Sequence, residues 1–496
     1  WNGETARFTT THGYDAAKGR LETVSSGGSS ASYSYLANGE AVREISLRNG
    51  QMPRLVNTWE RDDLGRIRQA KAAAATGPSL SRAYAFDALN RRKEMALEDG
   101  SRWAYEYDGR GQVTEGKRYW SAGQSEPVVG QQFGYNHDAA GNRATVQAPG
   151  ASTYTPAANR FNQYASRTVP QNLSVVGTAN PSASVTVNGA AAARHGAYFQ
   201  ADVPAGNASG PAWKDLAVQV SRQDPPGSAS QTGHSLVPAA SETFVYDDEG
   251  NLTQDSLWVY AWDAENRLTG MTLKGMTPAP AAKRIEFQYD WQGRRTAKRV
   301  YDATTGGNQL AASVYVYDGW NLIGVLDGSG NLRQTFVWGL DVSGTEQGAG
   351  GVGGLLWLTD GVGTAQERTA FCGYDAGGNV IALVQATDPQ LGARYEYGPF
   401  GEVIRMTGPL ASANPFRFST KFTDDETGLL YYGYRYYSPS LGRWLSKDPL
   451  GEAGGINLYA FCGNDPVNRI DSNGREVYWT QDADGSFSYS FFPDNW

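Results

Sequence analysis

Short runs of alternating apolar and polar residues, separated by glycine, asparagine and aspartate, fill most of the 496-residue chain. Alternation with period two places every second side chain on the same face of a strand. No extended stretch keeps the apolar spacing of an amphipathic helix. The pattern therefore predicts an all-β protein made of many short strands.

One short unit recurs along the chain. An aromatic residue, any residue and a second aromatic residue precede an aspartate, with glycine or asparagine three positions later and then arginine, asparagine or glutamine. Most neighbouring copies lie roughly 20 to 30 residues apart, a period typical of repeat architectures. The clearest copies contain Asp87, Asp108, Asp247, Asp263, Asp290 and Asp318, and weaker ones contain Asp15, Asp62, Asp138 and Asp375.

The residue types of this turn unit predict a β-hairpin. The two aromatic rings share one strand face, and the aspartate carboxylate can accept hydrogen bonds from backbone amides of the turn. Glycine or asparagine supplies the positive φ that the turn needs. A single hairpin is marginally stable, but hairpins that pair side by side bury their edges and form ring ladders. We expect a long, curling antiparallel sheet, in which the aspartates shape turns and take no part in chemistry.

The repeat is interrupted between residues 158 and 241, a segment rich in alanine, serine, threonine and valine. Alternation predicts strands near residues 173–176, 183–187, 197–201 and 216–220. The pair Asn188 and Gly189 is typical of a tight hairpin turn. We interpret the segment as an inserted immunoglobulin-like β-sandwich. It would serve as a spacer or as a module that binds a glycan or a surface.

Charge and hydropathy exclude two classes of partner. The formal net charge is -8, with 43 basic and 51 acidic residues, whereas a nucleic-acid surface needs a basic face. The apolar runs are too short to cross a bilayer, so we expect no membrane span. No signal peptide is visible and the chain starts within a repeat, so we expect a piece of a longer polypeptide.

The chain has few residues that could bind a metal or form disulfides. Cys372 and Cys462 are expected to be free buried thiols, with one disulfide between them as the alternative. The four histidines are far apart in sequence. The acidic run 424–426 has the composition of a metal site, but we expect a solvated turn there. We therefore expect neither a metal nor a cofactor.

The C-terminal part of the chain carries a dense series of short motifs. They are Gly-Leu-Leu-Tyr-Tyr (428–432), Arg435-Tyr-Tyr, Gly442-Arg-Trp, Asp448-Pro-Leu-Gly, Gly-Gly-Ile-Asn-Leu-Tyr (454–459), Asn464-Asp-Pro and Asp471-Ser-Asn-Gly. Together with the turn units, this series resembles the Rhs-type tyrosine-aspartate (YD) repeat proteins that carry an Rhs-repeat-associated core. The family includes polymorphic toxins and the C component of insecticidal toxin complexes. The resemblance covers nearly the whole chain outside the insertion.

The resemblance implies that successive segments of the chain have different roles. The YD sheet, residues 1–157 and 242–410, would wind into a shell or cocoon, interrupted by the insertion at 158–241. The core, residues 411–475, would plug one end, and residues 476–496 would be a variable tail. In the family the core cuts its own chain as an aspartyl protease and frees a C-terminal effector held inside the shell.

The resemblance also assigns the site. The catalytic residues would be Arg435, Asp448 and Asp471, and the cleaved bond would join Arg475 to Glu476. Two aspartates that share a proton can act as base and acid, a permanently charged arginine can position them, and attack on the same chain has a high effective molarity.

The site sequence leaves alternatives open. It departs from the family pattern at Ser472, where relatives have proline, and at Arg475, where relatives have leucine; both departures bear on whether cleavage occurs. Without catalysis, Arg435 and Asp448 would be a structural ion pair and Asp471 a turn former.

Two functions follow from these patterns. The favoured one is the shell-forming region of a secreted or cell-surface bacterial Rhs-type toxin, whose only enzymatic act is a single self-cleavage. Its partners would be an effector in cis and a delivery machinery or a shell-completing protein. The alternative is a non-enzymatic extracellular scaffold for adhesion or glycan binding.

Overall fold

The computed structural model describes residues 8–37, 39–121, 123–147, 150–157, 161–275, 283–475, 479–481 and 487–489. Within these residues the only helical segments are short 3₁₀ turns at Phe418–Thr420, Gly451–Gly454 and Cys462–Asn464. All strand pairings in the same residues are antiparallel. The predicted all-β class is confirmed.

Two large sheets contain the turn units, and each follows the order of the chain almost without exception. The first has fifteen strands, which are β1 (Thr11–Tyr14), β2 (Leu21–Ser26), β3 (Ser29–Tyr35), β4 (Val42–Asn49), β5 (Met52–Arg61), β6 (Ile67–Ala74), β7 (Ser79–Phe86), β8 (Arg92–Leu97), β9 (Arg102–Tyr107), β10 (Val113–Tyr119), β11 (Pro127–His137), β12 (Arg143–Gln147), β13 (Ser152–Pro156), β14 (Tyr164–Thr168) and β22 (Ser241–Thr243).

The second large sheet has fourteen strands and begins directly after β22. Its strands are β23 (Val245–Tyr246), β24 (Leu252–Gln254), β25 (Trp258–Trp262), β26 (Leu268–Leu273), β27 (Arg284–Tyr289), β28 (Arg295–Tyr301), β29 (Gln309–Asp318), β30 (Asn321–Asp327), β31 (Leu332–Trp338), β32 (Leu355–Asp360), β33 (Arg368–Tyr374), β34 (Val380–Gln385), β35 (Leu391–Tyr397) and β36 (Val403–Thr407).

The insertion contains two small sheets. The three-stranded sheet has the order β15, β19, β18 and the four-stranded sheet the order β17, β16, β20, β21. Their bounds are β15 (Asn172–Thr178), β16 (Ser184–Val187), β17 (Ala190–Ala191), β18 (Ala193–His195), β19 (Tyr198–Pro204), β20 (Ala212–Gln223) and β21 (Pro226–Val237). Val185 and Phe199 pack in a core that both sheets share. The immunoglobulin-like topology remains a prediction.

Strand β14 belongs to the large sheet, although the predicted boundary at residue 158 places it in the insertion. It pairs with β13 on one side and with β22 on the other. The backbone N–H of Val169 also donates to the carbonyl of Ala240, 2.8 Å away. The insertion therefore leaves and rejoins the sheet at neighbouring points.

The turn units have the predicted local geometry. In the unit at Asp87, Oδ1 accepts hydrogen bonds from the backbone N–H groups of Leu89 and Arg91, both at 2.9 Å. Oδ2 accepts a hydrogen bond from Arg91 Nε at 2.7 Å, and Asn90 has a φ of 62°. The same set of bonds forms at Asp62, Asp263 and Asp290. The prediction that these aspartates shape turns is confirmed.

A second contact, not predicted from the sequence, joins several units to the next. The guanidinium of Arg294 closes its own turn and lies 5.6 Å from the ring centroid of Tyr317, in the following unit. The Tyr317 hydroxyl donates to the carbonyl of Arg295 at 2.9 Å. The ladder between β28 and β29 begins only at Ala297, so the tyrosine bonds a carbonyl that the ladder leaves free. Equivalent tyrosine bonds join Tyr35 to Leu21, Tyr107 to Arg92, Tyr289 to Leu268 and Tyr397 to Val380.

The two large sheets contact each other directly through part of their faces. Leu21 and Leu55 from the first sheet pack in one cluster with Trp357 and Phe371 from the second. Asn57 Nδ2 donates to the carbonyl of Cys372 at 2.9 Å. A cavity of about 950 Å³ also lies between residues of the two sheets. In the region of these contacts the two sheets therefore pack face to face.

The core motifs form a unit that contacts turns of both large sheets. Its four-stranded sheet consists of β37 (Phe422–Asp424), β38 (Leu429–Tyr431), β39 (Tyr436–Ser438) and β40 (Arg443–Trp444). A further hairpin, β41 (Trp479–Gln481) and β42 (Phe487–Tyr489), follows. Both cysteines are buried thiols outside any disulfide, as predicted. In the part of the chain that the structure describes, we find no helix long and apolar enough to cross a membrane.

The tyrosine hydroxyl bonds are expected to stabilise the sheets measurably. Tyr317→Phe keeps the ring but leaves the Arg295 carbonyl without its hydroxyl donor, which should cost about 1 kcal/mol. The midpoint of denaturant unfolding should fall accordingly. Tyr119→Phe, at a half-buried tyrosine outside the turn units, should leave the midpoint nearly unchanged. Equal effects of the two variants would contradict a specific role for the hydroxyl.

Candidate functional site

The structure brings the three predicted site residues together. Arg435 lies between β38 and β39, Asp448 follows β40, and Asp471 lies near the end of the core. All three side chains are buried. Arg435 Nη2 is 2.7 Å from Asp448 Oδ2 and 3.6 Å from Asp471 Oδ2. Both carboxylates therefore meet at one nitrogen atom.

The guanidinium of Arg435 is held on several sides. Nε donates to the carbonyl of Gly474, and Nη1 donates to the carbonyl of Leu458 at 3.3 Å. The guanidinium carbon lies 4.2 Å from the ring centroid of Trp444. A planar cation fixed by directional bonds and an aromatic face can orient carboxylates accurately.

The two carboxylate oxygens of Asp471 differ in their hydrogen bonding to the described residues. Oδ1 accepts hydrogen bonds from the backbone N–H groups of Asn473 at 3.1 Å and Gly474 at 2.7 Å. Oδ2 is buried and has no hydrogen-bond partner among the described residues. Burial raises the pKa of Asp471 to about 7, against the opposing effects of Arg435 and the two amides, and the charge of Asp448 adds to the rise. This carboxyl can therefore hold a proton near neutral pH.

The carboxylate of Asp448 lies so close to the backbone of Gly454 that no side chain fits at residue 454. Its Oδ1 accepts a hydrogen bond from the backbone N–H of Leu450 at 2.8 Å. A Cβ atom at Gly454 would lie only 2.8 Å from Asp448 Oδ2, closer than carbon and oxygen can approach. Glycine at 454 therefore lets the backbone close over the carboxylate.

Lys421 is a member of the site that sequence reasoning missed. Its Nζ donates to the carbonyl of Ser472 at 2.6 Å and to that of Gly350 at 2.7 Å. Burial lowers the pKa of Lys421 to about 8, although Asp471 and Asp341 oppose the decrease. The lysine ties the segment after Asp471 to the glycine-rich loop before β32. Its position between the aromatic residues Phe418 and Phe422 was the available signal of burial.

Of the two residues joined by the predicted cleaved bond, the structure describes only Arg475. Arg475 donates its backbone N–H to Asn473 Oδ1 at 3.2 Å, and its guanidinium carbon lies 3.7 Å from the ring centroid of Tyr434. Glu476 lies outside the described residues. The chain is thus anchored up to the residue before the bond.

The predicted solvated turn at residues 424–426 is wrong for Asp424. This carboxylate is buried, with Oδ2 2.6 Å from Arg295 Nη1 and Oδ1 2.9 Å from Lys298 Nζ. These cations, which lie on β28, hold its pKa below the ordinary value in spite of burial. Asp424 thus fastens the core to the second large sheet. The described residues contain no group of three or more histidine, cysteine, aspartate or glutamate side chains that could hold a metal ion.

Comparison with protein families matches residues 365–467 to the teneurin YD-shell. The matched range contains Arg435 and Asp448 and ends before Asp471.

Curated relatives match larger or smaller parts of the chain. The tRNA3(Ser)-specific nuclease WapA of Bacillus spizizenii is 30% identical over 257 residues, 50% of this chain and 10% of its own length. The toxin subunit YenC2 of Yersinia entomophaga is 44% identical over 82 residues, 16% of this chain and 8% of its own. The toxin protein Tse5 of Pseudomonas aeruginosa is 48% identical over 62 residues, 12% and 5% of the two chains. The chain therefore spans a tenth or less of the length of these relatives.

Among solved structures, the crystal structure of TcdB2-TccC3 aligns with 90% of this chain and 22% of its own, at 18% identity and a TM-score of 0.38.

The raised pKa of Asp471 predicts how stability depends on pH. The carboxyl titrates at about 7 in the folded chain against an ordinary value of 3.8, so the folded state favours the protonated form. This contribution to stability is complete below about pH 4 and is lost as the pH rises through 7. The carboxamide of the Asp471→Asn variant cannot ionise. From pH 4 to pH 8, the free energy of unfolding of the wild type should therefore fall by about 4 kcal/mol relative to this variant.

Thermal and denaturant unfolding of both proteins across this pH range provides the measurement. A constant difference between wild type and variant from pH 4 to pH 8 would show that Asp471 is ionised throughout.

Proposed function

We propose that the core of this chain, a YD-shell protein of the Rhs type similar to parts of bacterial toxins, cuts the chain between Arg475 and Glu476. The observation that carries the proposal is the meeting of two buried carboxylates at Arg435 Nη2. One of them, Asp471, has a pKa of about 7 because it is buried. Paired carboxylates whose environments differ are the arrangement of aspartyl proteases.

The two carboxylates would divide the work of hydrolysis. Asp448, in the closer ion pair with Arg435, takes a proton from water, and the water oxygen attacks the carbonyl carbon of Arg475. Asp471 gives its proton to the carbonyl oxygen. When the tetrahedral intermediate collapses, Asp448 passes the proton that it took from water to the nitrogen of Glu476, and the peptide bond breaks. One hydroxyl of the intermediate returns a proton to Asp471 as it becomes the carboxyl group of Arg475. Arg435 keeps both acidic groups in place during the cycle.

Residues of the site also hold the chain that would be cut. Arg435 Nε binds the carbonyl of Gly474 and Asp471 Oδ1 binds its N–H. Hydrogen bonds therefore fix both the N–H and the carbonyl group of Gly474, one residue before Arg475. Intramolecular attack in such a fixed geometry has a large entropic advantage, and one turnover per chain suffices.

The released segment would be a C-terminal effector enclosed by the shell of the whole protein. A cavity of about 950 Å³ has the size of a small-molecule site. A protein domain would need a larger space than this cavity, and the matched part is only 10% of the length of a relative. We infer that the complete protein is secreted and that further repeats or a partner protein complete the shell. The comparisons do not favour the alternative of a non-enzymatic adhesion or glycan-binding scaffold.

Substitution of either aspartate is expected to stop cleavage. Asp448→Asn and Asp471→Asn remove the base and the acid in turn, and each should lower the rate by more than about a hundredfold. Intact-mass analysis of purified chain over time should show a wild-type fragment that ends at Arg475 and uncut variants. Asp425→Asn, at an exposed carboxylate of the same core, should be cut like the wild type.

Two results would contradict the assignment. One is a wild-type chain that stays intact, and the other is an aspartate variant that is cut at the normal rate. Circular dichroism and the unfolding midpoint establish that the variants are folded, because loss of the fold would make the residue structural.

A further inference from the structure

The side chain of Arg475 rests on an aromatic platform. Its guanidinium carbon is 3.7 Å from the ring centroid of Tyr434, a short distance for a cation over a ring. The ring of Trp320 lies beside that of Tyr434, with centroids 5.0 Å apart and planes tilted by 47°. An arginine at this position is therefore accommodated by a specific contact.

The platform is made from two parts of the fold. Tyr434 precedes Arg435 in the core, whereas Trp320 lies in the turn between β29 and β30 of the second large sheet. The backbone N–H of Trp320 donates to Gln347 Oε1 at 2.8 Å. Gly433 has a φ of 106°, and a Cβ there would lie 3.1 Å from the Trp320 ring. Glycine at 433 thus allows the tryptophan to close against the core.

Asn473 fixes the register between the platform and Arg475. Its carbonyl accepts a hydrogen bond from the backbone N–H of Tyr434 at 3.0 Å. Its Oδ1 accepts one from the backbone N–H of Arg475 at 3.2 Å. The position of Arg475 over the ring therefore follows from backbone bonds as well as from the side-chain contact.

We propose that Tyr434 and Trp320 form a subsite that selects a cationic side chain, arginine above all, at the residue before the cleaved bond. The inference rests on the proposed self-cleavage and adds its specificity. The ring face carries negative electrostatic potential, so it attracts a cation. A planar guanidinium stacks on a ring better than an ammonium group does. A carboxylate at position 475 is repelled by the same ring face.

The platform joins the core to the second large sheet. Tyr434, the ring that Arg475 contacts, belongs to the core, and Trp320 of the second sheet packs against it. Trp320 therefore supports the ring on which Arg475 rests.

A double-mutant cycle in the full chain tests the subsite. Arg475→Leu and Tyr434→Leu should each slow the appearance of the fragment that ends at residue 475 by about tenfold, the scale of a partly buried cation–π contact. The double variant should be no slower than either single variant, because the interaction is already lost. Arg475→Lys should be slowed less than Arg475→Glu. Arg43→Glu, at an exposed arginine on β4, is the charge control.

The outcomes separate this inference from the proposed function. An uncut wild type would refute the self-cleavage. A wild type that is cut, with Arg475→Glu and Tyr434→Leu cut equally fast, would leave the self-cleavage intact and refute the subsite. Additive losses in the double variant would also refute it, since the two side chains would then act independently.

A second measurement tests the contact between Arg475 and Tyr434 in a chain that is not cut. In Asp448→Asn, which is expected to stay uncut, hydrogen exchange at the amide of Arg475 reports on the anchoring of this segment. Adding Tyr434→Leu should speed exchange by about tenfold, for the loss of a contact of the same scale. An unchanged exchange rate would show that the ring does not hold Arg475.

Discussion

The lateral contact between neighbouring turn units is the interaction on which the rest of the structure depends. Hydrogen bonds within a single unit, such as those of Asp290 with Arg294, make only a marginally stable hairpin. The same arginine stacks on Tyr317, and that tyrosine bonds the carbonyl of Arg295. Where this contact forms, one unit therefore fixes the position of the next. It explains the tyrosine in these units, since phenylalanine would provide the ring without the bond.

The core packs against the turn units, and the packed core fixes the geometry of the site. The hydroxyl of Tyr459 donates to the carbonyl of Gly250 at 2.7 Å, and Asn464 Nδ2 donates to that of Gly141 at 2.7 Å. Both glycines belong to turn units of the large sheets. Seated in this way, the core buries Arg435 with two carboxylates. Burial of ionisable groups is costly unless they are paired. Among the described residues Asp471 Oδ2 has no hydrogen-bond partner, a cost of the kind that functional sites retain.

Local features of the fold could be predicted from the sequence, and non-local ones could not. The turn at Asp87 follows from residues within five positions, so its bonds were foreseen. The bond from Tyr317 to Arg295 depends on where the ladder between two strands begins, which alternation does not reveal. Asp424 was expected in solvent because its neighbours in sequence are polar, but Arg295 and Lys298 approach it from a distant strand. The resemblance named the three site residues, whereas Lys421 and the Tyr434 platform required the structure.

An experimental structure of the Asp448→Asn chain, at a resolution that defines side-chain oxygens, tests the central claim most directly. We expect tyrosine hydroxyls such as those of Tyr107 and Tyr317 to bond the carbonyls of preceding units. We also expect the side chains of residues 448 and 471 both to contact the Arg435 guanidinium. Separate hairpin modules without these lateral bonds, or side chains 448 and 471 at distant points of the molecule, would contradict it.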